Sequence, residues 1–383
     1  MTEIMHDGGG HCLIVDSSFG STVGIVGGDP LCEADSRMHV ERLEPNIAQV
    51  VSDAGLTPQD LDMIVVGVGP APFTGLRAGI ASARALAFAL NIPLLGQDIL
   101  EPQAVWQEYR RQERLLADSR QEGRGETGLA GDFARQLRLT LAVNDARRKQ
   151  LYYALYLAPL FVPEPDASLE EAQDGRETVE KGLSYRLPWR MVQTPKKVLE
   201  MDIASADDIA AKVAQWIDGW RKGLSDAPSG RSDTPSGKPD ASSGEGVGGI
   251  SVQVDVVGHG AGKYASSWAG LRPYLGEVRD QSPLGDGGRE GLALFAQTAL
   301  FHRSQGDSCL TDPLYLRRPD ISLPPARKHA LGQTGISLTL PDAQTDMQTD
   351  AQTDTGGDSQ NGSPSQEGQA GSPSAFPQSV RLL

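Results

Sequence analysis

Met63 to Val68 is a continuous apolar run, short and rich in β-branched residues, of the kind that forms a strand covered on both faces. It leads through a turn of glycines and prolines into a helical stretch from Gly75 to Leu90, which Asn91-Ile92-Pro93 stops. Strand, tight turn and helix in that order call for an α/β fold, with helices packed on the faces of a sheet.

The flanking sequence extends this pattern. Cys12 to Val15 reads as a strand ending at Asp16, Thr22 to Val26 as a second after a turn at Gly20, and a third near Leu31 completes a meander. Val40, Leu43, Ile47, Val50 and Val51 recur at helical spacing, so His39 to Ala54 reads as an amphipathic helix, with Pro45 at a kink or in the first turn. Leu94-Leu95 begins another strand. The pattern then restarts with strands at Leu137–Val143 and Leu151–Leu157. A helix over Ala206–Trp220 follows, capped by Ser205 with Asp208 three residues on. Val252–Val257 is another buried strand, and Arg289–Arg303 the last helix. Two halves of strands followed by helix point to a duplicated α/β domain.

A chain of 383 residues has room for both halves. Residues 1–110 form the first lobe and 132–330 the second, with 111–131 a hydrophilic helix end or surface insertion. Within the second lobe, residues 222–249 contain seven Gly, six Ser and three Pro and read as a flexible insert. Residues 331–383, with their Gln-Thr-Asp repeats, bury too little to offset ordering and read as a disordered acidic tail. That tail carries about a third of the net charge of −15, so the folded part is less acidic than the whole. The balance argues against a chain that coats nucleic acid through net charge and leaves room for a local basic patch. Cys12, Cys32 and Cys309 make no metal knuckle, and no apolar run reaches membrane-spanning length. The N-terminus lacks the charged-then-apolar order of a signal peptide, so a cytoplasmic protein is expected.

Candidate chemistry is sparse. The turn Gly69-Pro70-Ala71-Pro72-Phe73-Thr74-Gly75-Leu76-Arg77 joins a strand to a helix that Thr74 is placed to cap. It reads as an anion site at a helix start or as a rigid connecting turn. It is no Walker loop, because no Lys-Ser or Lys-Thr follows the glycines. Asp16-Ser17-Ser18 stands where actin-like ATPases and sugar kinases hold phosphate and metal, but Ser18 occupies a position those proteins give to Gly. A hairpin turn is the other reading. None of the six histidines makes an HxxxH or HExxH motif, and there is no GxSxG elbow. Asp145 with Arg147, between two strands, marks either a ligand site or a charged hairpin turn. The helix after Gly75 is rich in small residues, among them Ala78, Gly79, Ala81, Ala83, Ala85, Ala87 and Ala89. With the helix at His39–Ala54 it offers a two-helix docking surface or, alternatively, is buried outright.

Together these segments resemble one family. Asp16-Ser17-Ser18 ends the first strand, Arg37-x-His39 starts a helix, and Gly69-Pro70-Ala71-Pro72-Phe73-Thr74-Gly75-Leu76-Arg77-Ala78-Gly79 is similar to the GPGSFTGxRxG signature. Asp145-Ala146-Arg147-Arg148 before Leu151-Tyr152, then Gly258-x-Gly260 and Pro313-x-Tyr315-Leu316-Arg317, complete the order. The pattern is that of the TsaB (YeaZ) family. Ala71 and Pro72 depart from its Gly and Ser. The resemblance implies an actin/Hsp70-like (ASKHA) fold of two ribonuclease-H-like lobes. It implies a non-catalytic subunit that pairs with its paralogue TsaD in the complex transferring threonylcarbamoyl to the anticodon-adjacent adenosine of tRNA. The ATPase TsaE and a homodimer are further implied partners, tRNA is met through the complex, and no membrane is involved. No cofactor is tightly bound, ATP entering only within the assembled complex. The partner interface it implies is His39, Val40, Leu43, Ile47, Leu76, Ile80, Ala83 and Ala87. Arginine at Ala83 or Ala87 is accordingly expected to block dimerisation. Gly69, Pro70, Phe73, Thr74, Gly75 and Arg77 form its signature turn, and Asp16, Ser17 and Ser18 a vestigial phosphate loop. The alternatives are an actin-like ATPase or small-molecule kinase, and a peptidase.

Overall fold

The computed structural model describes residues 10–34, 40–122, 136–163, 187–225 and 251–316. His39, Arg37, Arg317, the insert beyond 225 and the tail beyond 331 lie outside the described residues.

The first sheet contains β1 (Cys12–Asp16), β2 (Ser21–Ile25), β3 (Leu31–Glu33), β4 (Met63–Gly67) and β5 (Leu94–Gln97), ordered β3-β2-β1-β4-β5. Its first three strands form an antiparallel meander, and β4 and β5 join in parallel. After β6 (Gln136–Asp145) and β7 (Leu151–Leu157) come β8 (Leu160–Pro163) and β9 (Trp189–Gln193), which pair only with each other. Next are β10 (Lys196–Ala204), β11 (Ser251–Val257) and β12 (Leu275–Arg279). The second sheet runs β10-β7-β6-β11-β12, again an antiparallel trio followed by two parallel strands. The duplication expected from the sequence is therefore present strand for strand.

Among the described residues, six helices cover the sheets: α1 (Leu43–Asp53), α2 (Phe73–Leu90), α3 (Glu101–Glu122), α4 (Ala206–Ser225), the short α5 (Pro283–Asp286) and α6 (Gly288–Ser304). Strand periodicity decides their places. Leu13, Val15, Ile64 and Val66 point to one side, into a core with α1 and α2. Cys12, Ile14, Met63 and Val65 point to the other, toward Leu292, Phe295, Ala296 and Ala299 of α6. Ala142, Ala154 and Tyr156 of the second sheet join that same core, so α6, with the start of α3, fills the space between the sheets. Ile209, Val213 and Ile217 of α4 close the far side over Leu139, Leu141 and Val143.

Several boundaries differ from the sequence reading. α1 begins at Leu43 rather than His39, because Pro45 has no amide to donate and fits only the first turn. Ser205 does cap α4, accepting from the Asp208 amide at 3.2 Å and donating to its carboxylate at 2.6 Å. That helix runs on to Ser225, into the stretch assigned to the insert. α3 covers residues 101–122, across the lobe boundary placed at 110 and into the stretch read as an insertion or helix end. It packs through polar groups as well as through the buried Ala104, Val105, Trp106 and Tyr109. Gln107 donates to Asp255 (2.9 Å) and Glu277 (3.0 Å), and Glu108 pairs with Arg138 at 2.8 Å, so buried polar side chains interrupt its apolar pattern. No helix among the described residues is long and apolar enough to cross a membrane.

Candidate functional site

Asp16 ends β1 with its carboxylate turned inward and 6% exposed. Its Oδ1 accepts from the Ser18 hydroxyl at 2.7 Å and the Ser18 amide at 3.2 Å. Burial pushes its pKa up, and Ser18's donors oppose the shift in part. Ser17 donates through Oγ to the Gly75 carbonyl at 2.9 Å. A Cβ at Gly67 would collide with Asp16 Oδ1, and one at Gly79 would collide with Ser17 Oγ. Glycine at both places makes room for the loop's own side chains, which lie against β4 and α2.

Phe19 closes the other side of this loop. Its ring stacks on His259, with centroids 3.8 Å apart and planes 14° apart. His259 stands between Gly258 (φ 114°) and Gly260 (φ 98°), a turn that L residues with side chains rarely adopt. Burial lowers its pKa against the pull of Asp286, Asp280 and Asp145. The cavity left between Asp16, Ser18, Gln103, His259 and Ser282 measures about 190 Å³. Small-molecule sites run at roughly 300–1,000 Å³.

Alanine at Gly79 must drive Ser17 aside and break its bond to Gly75. The expected cost is about 1–3 kcal/mol, read as a lower denaturant midpoint. Removing the Ser17 hydroxyl in the same chain recovers part of it, whereas a stability unchanged by Gly79→Ala would show that the loop yields freely.

The signature turn acts as a clasp. Pro72, not Thr74, holds the position before α2 and supplies no side-chain cap. The helix starts at Phe73 because Pro72 fixes an extended backbone two residues earlier than expected, which leaves Thr74 in the first turn and exposed. The Phe73 ring stacks on Tyr315 at 4.8 Å and carries the Arg77 guanidinium on its face at 4.8 Å. The Leu314 amide donates to Val68 O (2.8 Å) and the Gly96 amide to Cys309 O (3.1 Å). Arg84 binds Thr311 and Asp312. Asn144 of the second sheet donates to Pro70 O at 3.3 Å. Phe73, with Arg77 on its ring, thus seats the chain returning after α6, while Pro70 is held by the second sheet and Gly69 takes a left-handed turn (φ 94°).

The expected partner interface divides. Leu43, Leu76, Ile80, Ala83 and Ala87 are 0–5% exposed and belong to the lobe's own core, so they are not a free docking face. Their spacing along α2 is that of a helix stripe pressed on a sheet. Val40 is 41% exposed, and Ile47 lines an open groove of about 540 Å³ between α1 and α2. Ala48, Leu56, Ala85 and Leu86 line it too. Phe88, on the outer side of α2, is 89% exposed. The groove between α1 and α2 lies on the side opposite to Leu43, Leu76, Ile80, Ala83 and Ala87.

Between β6 and β7 the turn Ala146–Gln150 holds Arg147, Arg148 and Lys149 at φ 61°, 51° and 62°. Each such residue costs about 1 kcal/mol relative to a right-handed conformation. Asp145 accepts from the Arg147 amide at 2.8 Å and pairs with Lys263 at 2.9 Å, so the charged hairpin reading is the one the structure adopts.

Comparison with known proteins adds four findings. Residues 31–108, the stretch that includes α1 and α2, match the family model for TsaD, tRNA N6-adenosine threonylcarbamoyltransferase. An uncharacterised protein of Mycobacterium tuberculosis is 43% identical over 122 residues, 32% of this chain and 44% of that protein. The tRNA threonylcarbamoyladenosine biosynthesis protein TsaB of Bacillus subtilis is 32% identical over 118 residues, 31% of this chain and 40% of that protein. The chain thus spans less than half the length of these curated relatives. A crystal structure described as an uncharacterised protein with similarity to peptidase YEAZ from Pseudomonas aeruginosa has a TM-score of 0.41 at 19% identity. It covers 80% of this chain and 100% of the other.

Proposed function

The chain belongs to the TsaB (YeaZ) family, and from that premise we propose that it is a non-catalytic docking subunit that pairs with a TsaD paralogue. In this reading the two matching sheets are the two ribonuclease-H-like lobes of an actin/Hsp70-like fold. The assembled complex transfers threonylcarbamoyl to the anticodon-adjacent adenosine of tRNA, with TsaE as its ATPase.

The observation that carries the proposal is the groove of about 540 Å³ between α1 and α2, rimmed by small and apolar side chains. Both helices lie in the stretch that matches the TsaD family model. A paralogue built on the same stretch presents the same pair of helices, so the two faces can meet about a local two-fold axis. Small residues such as Ala48 and Ala85 allow helices to approach closely, and Phe88 is an aromatic side chain ready to be buried by a partner.

The test is gel filtration with light scattering on the full chain mixed with TsaD from the same cell. A one-to-one complex that restores threonylcarbamoyl transfer is the expected result. Absence of any complex, with nucleotide and TsaE both present, would refute the docking role.

A further inference from the structure

We propose that the cavity of about 190 Å³ beside Asp16 binds a small amphiphilic primary amine, with its ammonium toward Asp16 and the side-chain carbonyl of Gln103. The proposal stands apart from the docking reading, because neither α1 nor α2 supplies a residue to this cavity.

Gln103 is what points to a ligand. It lies in the first turn of α3, is 2% exposed and lines the cavity, and its Oε1 has no hydrogen-bond partner among the described residues. A buried amide oxygen left without a donor is unfavourable, so native structures nearly always supply one. The chain itself closes one flank without doing so: Gly258 approaches this oxygen so nearly that a Cβ there would collide with it.

Charge decides the kind of donor. Of the three carboxylates that line the cavity, Glu33 has Arg42 at 3.8 Å. Asp16 and Asp286 meet only neutral donors, from Ser17, Ser18 and Ser282. Among the described residues that line it there is neither lysine nor arginine. His259 supplies no cation either, because burial lowers its pKa even against the pull of Asp286, Asp280 and Asp145. Of those three, Asp145 is matched by Lys263 and Asp280 takes the Gly260 amide. The remaining balance is negative, which disfavours phosphate and carboxylate ligands and favours an ammonium. A metal ion is a poorer match, since no three acidic, histidine or cysteine groups gather to hold one among the described residues. The other walls are apolar: Ile99, Leu284 and Phe295 are 0–8% exposed, so the ammonium is expected to carry an apolar body. Phe19, 49% exposed, and the exposed Asp286 stand where the cavity meets solvent. The volume suits a fragment rather than a drug-sized molecule.

The test is calorimetry on the full chain at neutral pH, with phenethylamine as the probe and phenylethanol as its uncharged counterpart. One-to-one binding of the amine is the expected result, with the alcohol weaker by roughly tenfold or more, as for loss of a charged hydrogen bond. Gln103→Leu keeps the shape of the side chain and removes its unpaired oxygen. It should leave the melting temperature equal or higher and weaken the amine by roughly tenfold or more. Asp16→Asn should narrow the gap between amine and alcohol; if that variant fails to fold, the ratio of the two ligands on the wild type decides the charge. Equal binding of amine and alcohol would reduce the site to an apolar hole and overturn the proposal. Amine binding untouched by Gln103→Leu, or no binding by the wild type, would overturn it too. ATP that binds the wild type and displaces the amine would overturn it in favour of a nucleotide cleft. Failure to pair with TsaD would strike the docking reading and leave this one standing.

Discussion

Arginine in place of Ala83 is expected to unfold the N-terminal lobe, whereas arginine in place of Ala85 is expected to leave it folded and abolish pairing. Ala83 is 0% exposed and lies among Leu13, Val15, Ile64 and Val66. A guanidinium forced there has neither water nor a carboxylate partner, and such an unpaired buried charge costs about 3–5 kcal/mol, much of the stability of an ordinary domain. Ala85 is exposed and lines the groove between α1 and α2. Arginine there changes stability by about 0.5 kcal/mol or less but fills the space a partner helix would occupy. Circular dichroism melting separates the two outcomes, and light scattering with TsaD reads the second. An Ala85→Arg protein that is folded and pairs normally would move the docking face elsewhere. A folded Ala83→Arg protein would show that α2 is not seated as described.

The other large effect concerns pH. His302, at the end of α6, has Nε2 at 3.0 Å from both Glu101 oxygens and Nδ1 at 2.9 Å from Asp307. The bond to Glu101 is the first cause, and with the nearby Asp307 it raises the imidazole pKa from 6.5 to about 9. A raised folded-state pKa contributes stability that is complete below the unfolded value and lost as pH climbs through the folded one. The window here is therefore pH 6.5 to about 9. With the side chain about a quarter exposed, screening trims the full linkage value, and about 2 kcal/mol is expected at pH 6. His302→Gln should lose that amount at pH 6 and converge on the wild type above pH 9.5. Urea midpoints for both proteins across this range provide the check. Profiles offset by a constant amount would mean that His302 contributes packing alone. The pair joins the start of α3 to the end of α6, the middle layer of the molecule, so its effect should reach both sheets.

Much of this was open to a sequence reading. The Met63–Gly67 strand, the Ser205 cap and the helix ending at Ser304 follow from side-chain periodicity and local hydrogen bonding, which do not depend on distant residues. The correct face of α2 was legible as well, since Leu76, Ile80, Ala83 and Ala87 repeat at the spacing of a core stripe. The small residues of α2 blur that stripe, because alanine marks a tight core and an open groove equally well. α3, β8 and β9 were hidden for another reason. α3 rests in part on Gln107, Glu108 and Arg114, whose partners lie more than a hundred residues away or on separate strands.

By itself the sequence determined the alternation of strands and helices, the repeat of that alternation, and the absence of the metal motifs of a catalyst. Those are properties of neighbours along the chain. Tertiary structure alone decided that Gly67 and Gly79 make room for Asp16 and Ser17, that Phe19 meets His259, and that Tyr315 returns to Phe73. Each of these joins residues far apart in the chain. Such meetings form only once the sheets are packed, because burial and close approach are properties of the folded whole and not of any segment.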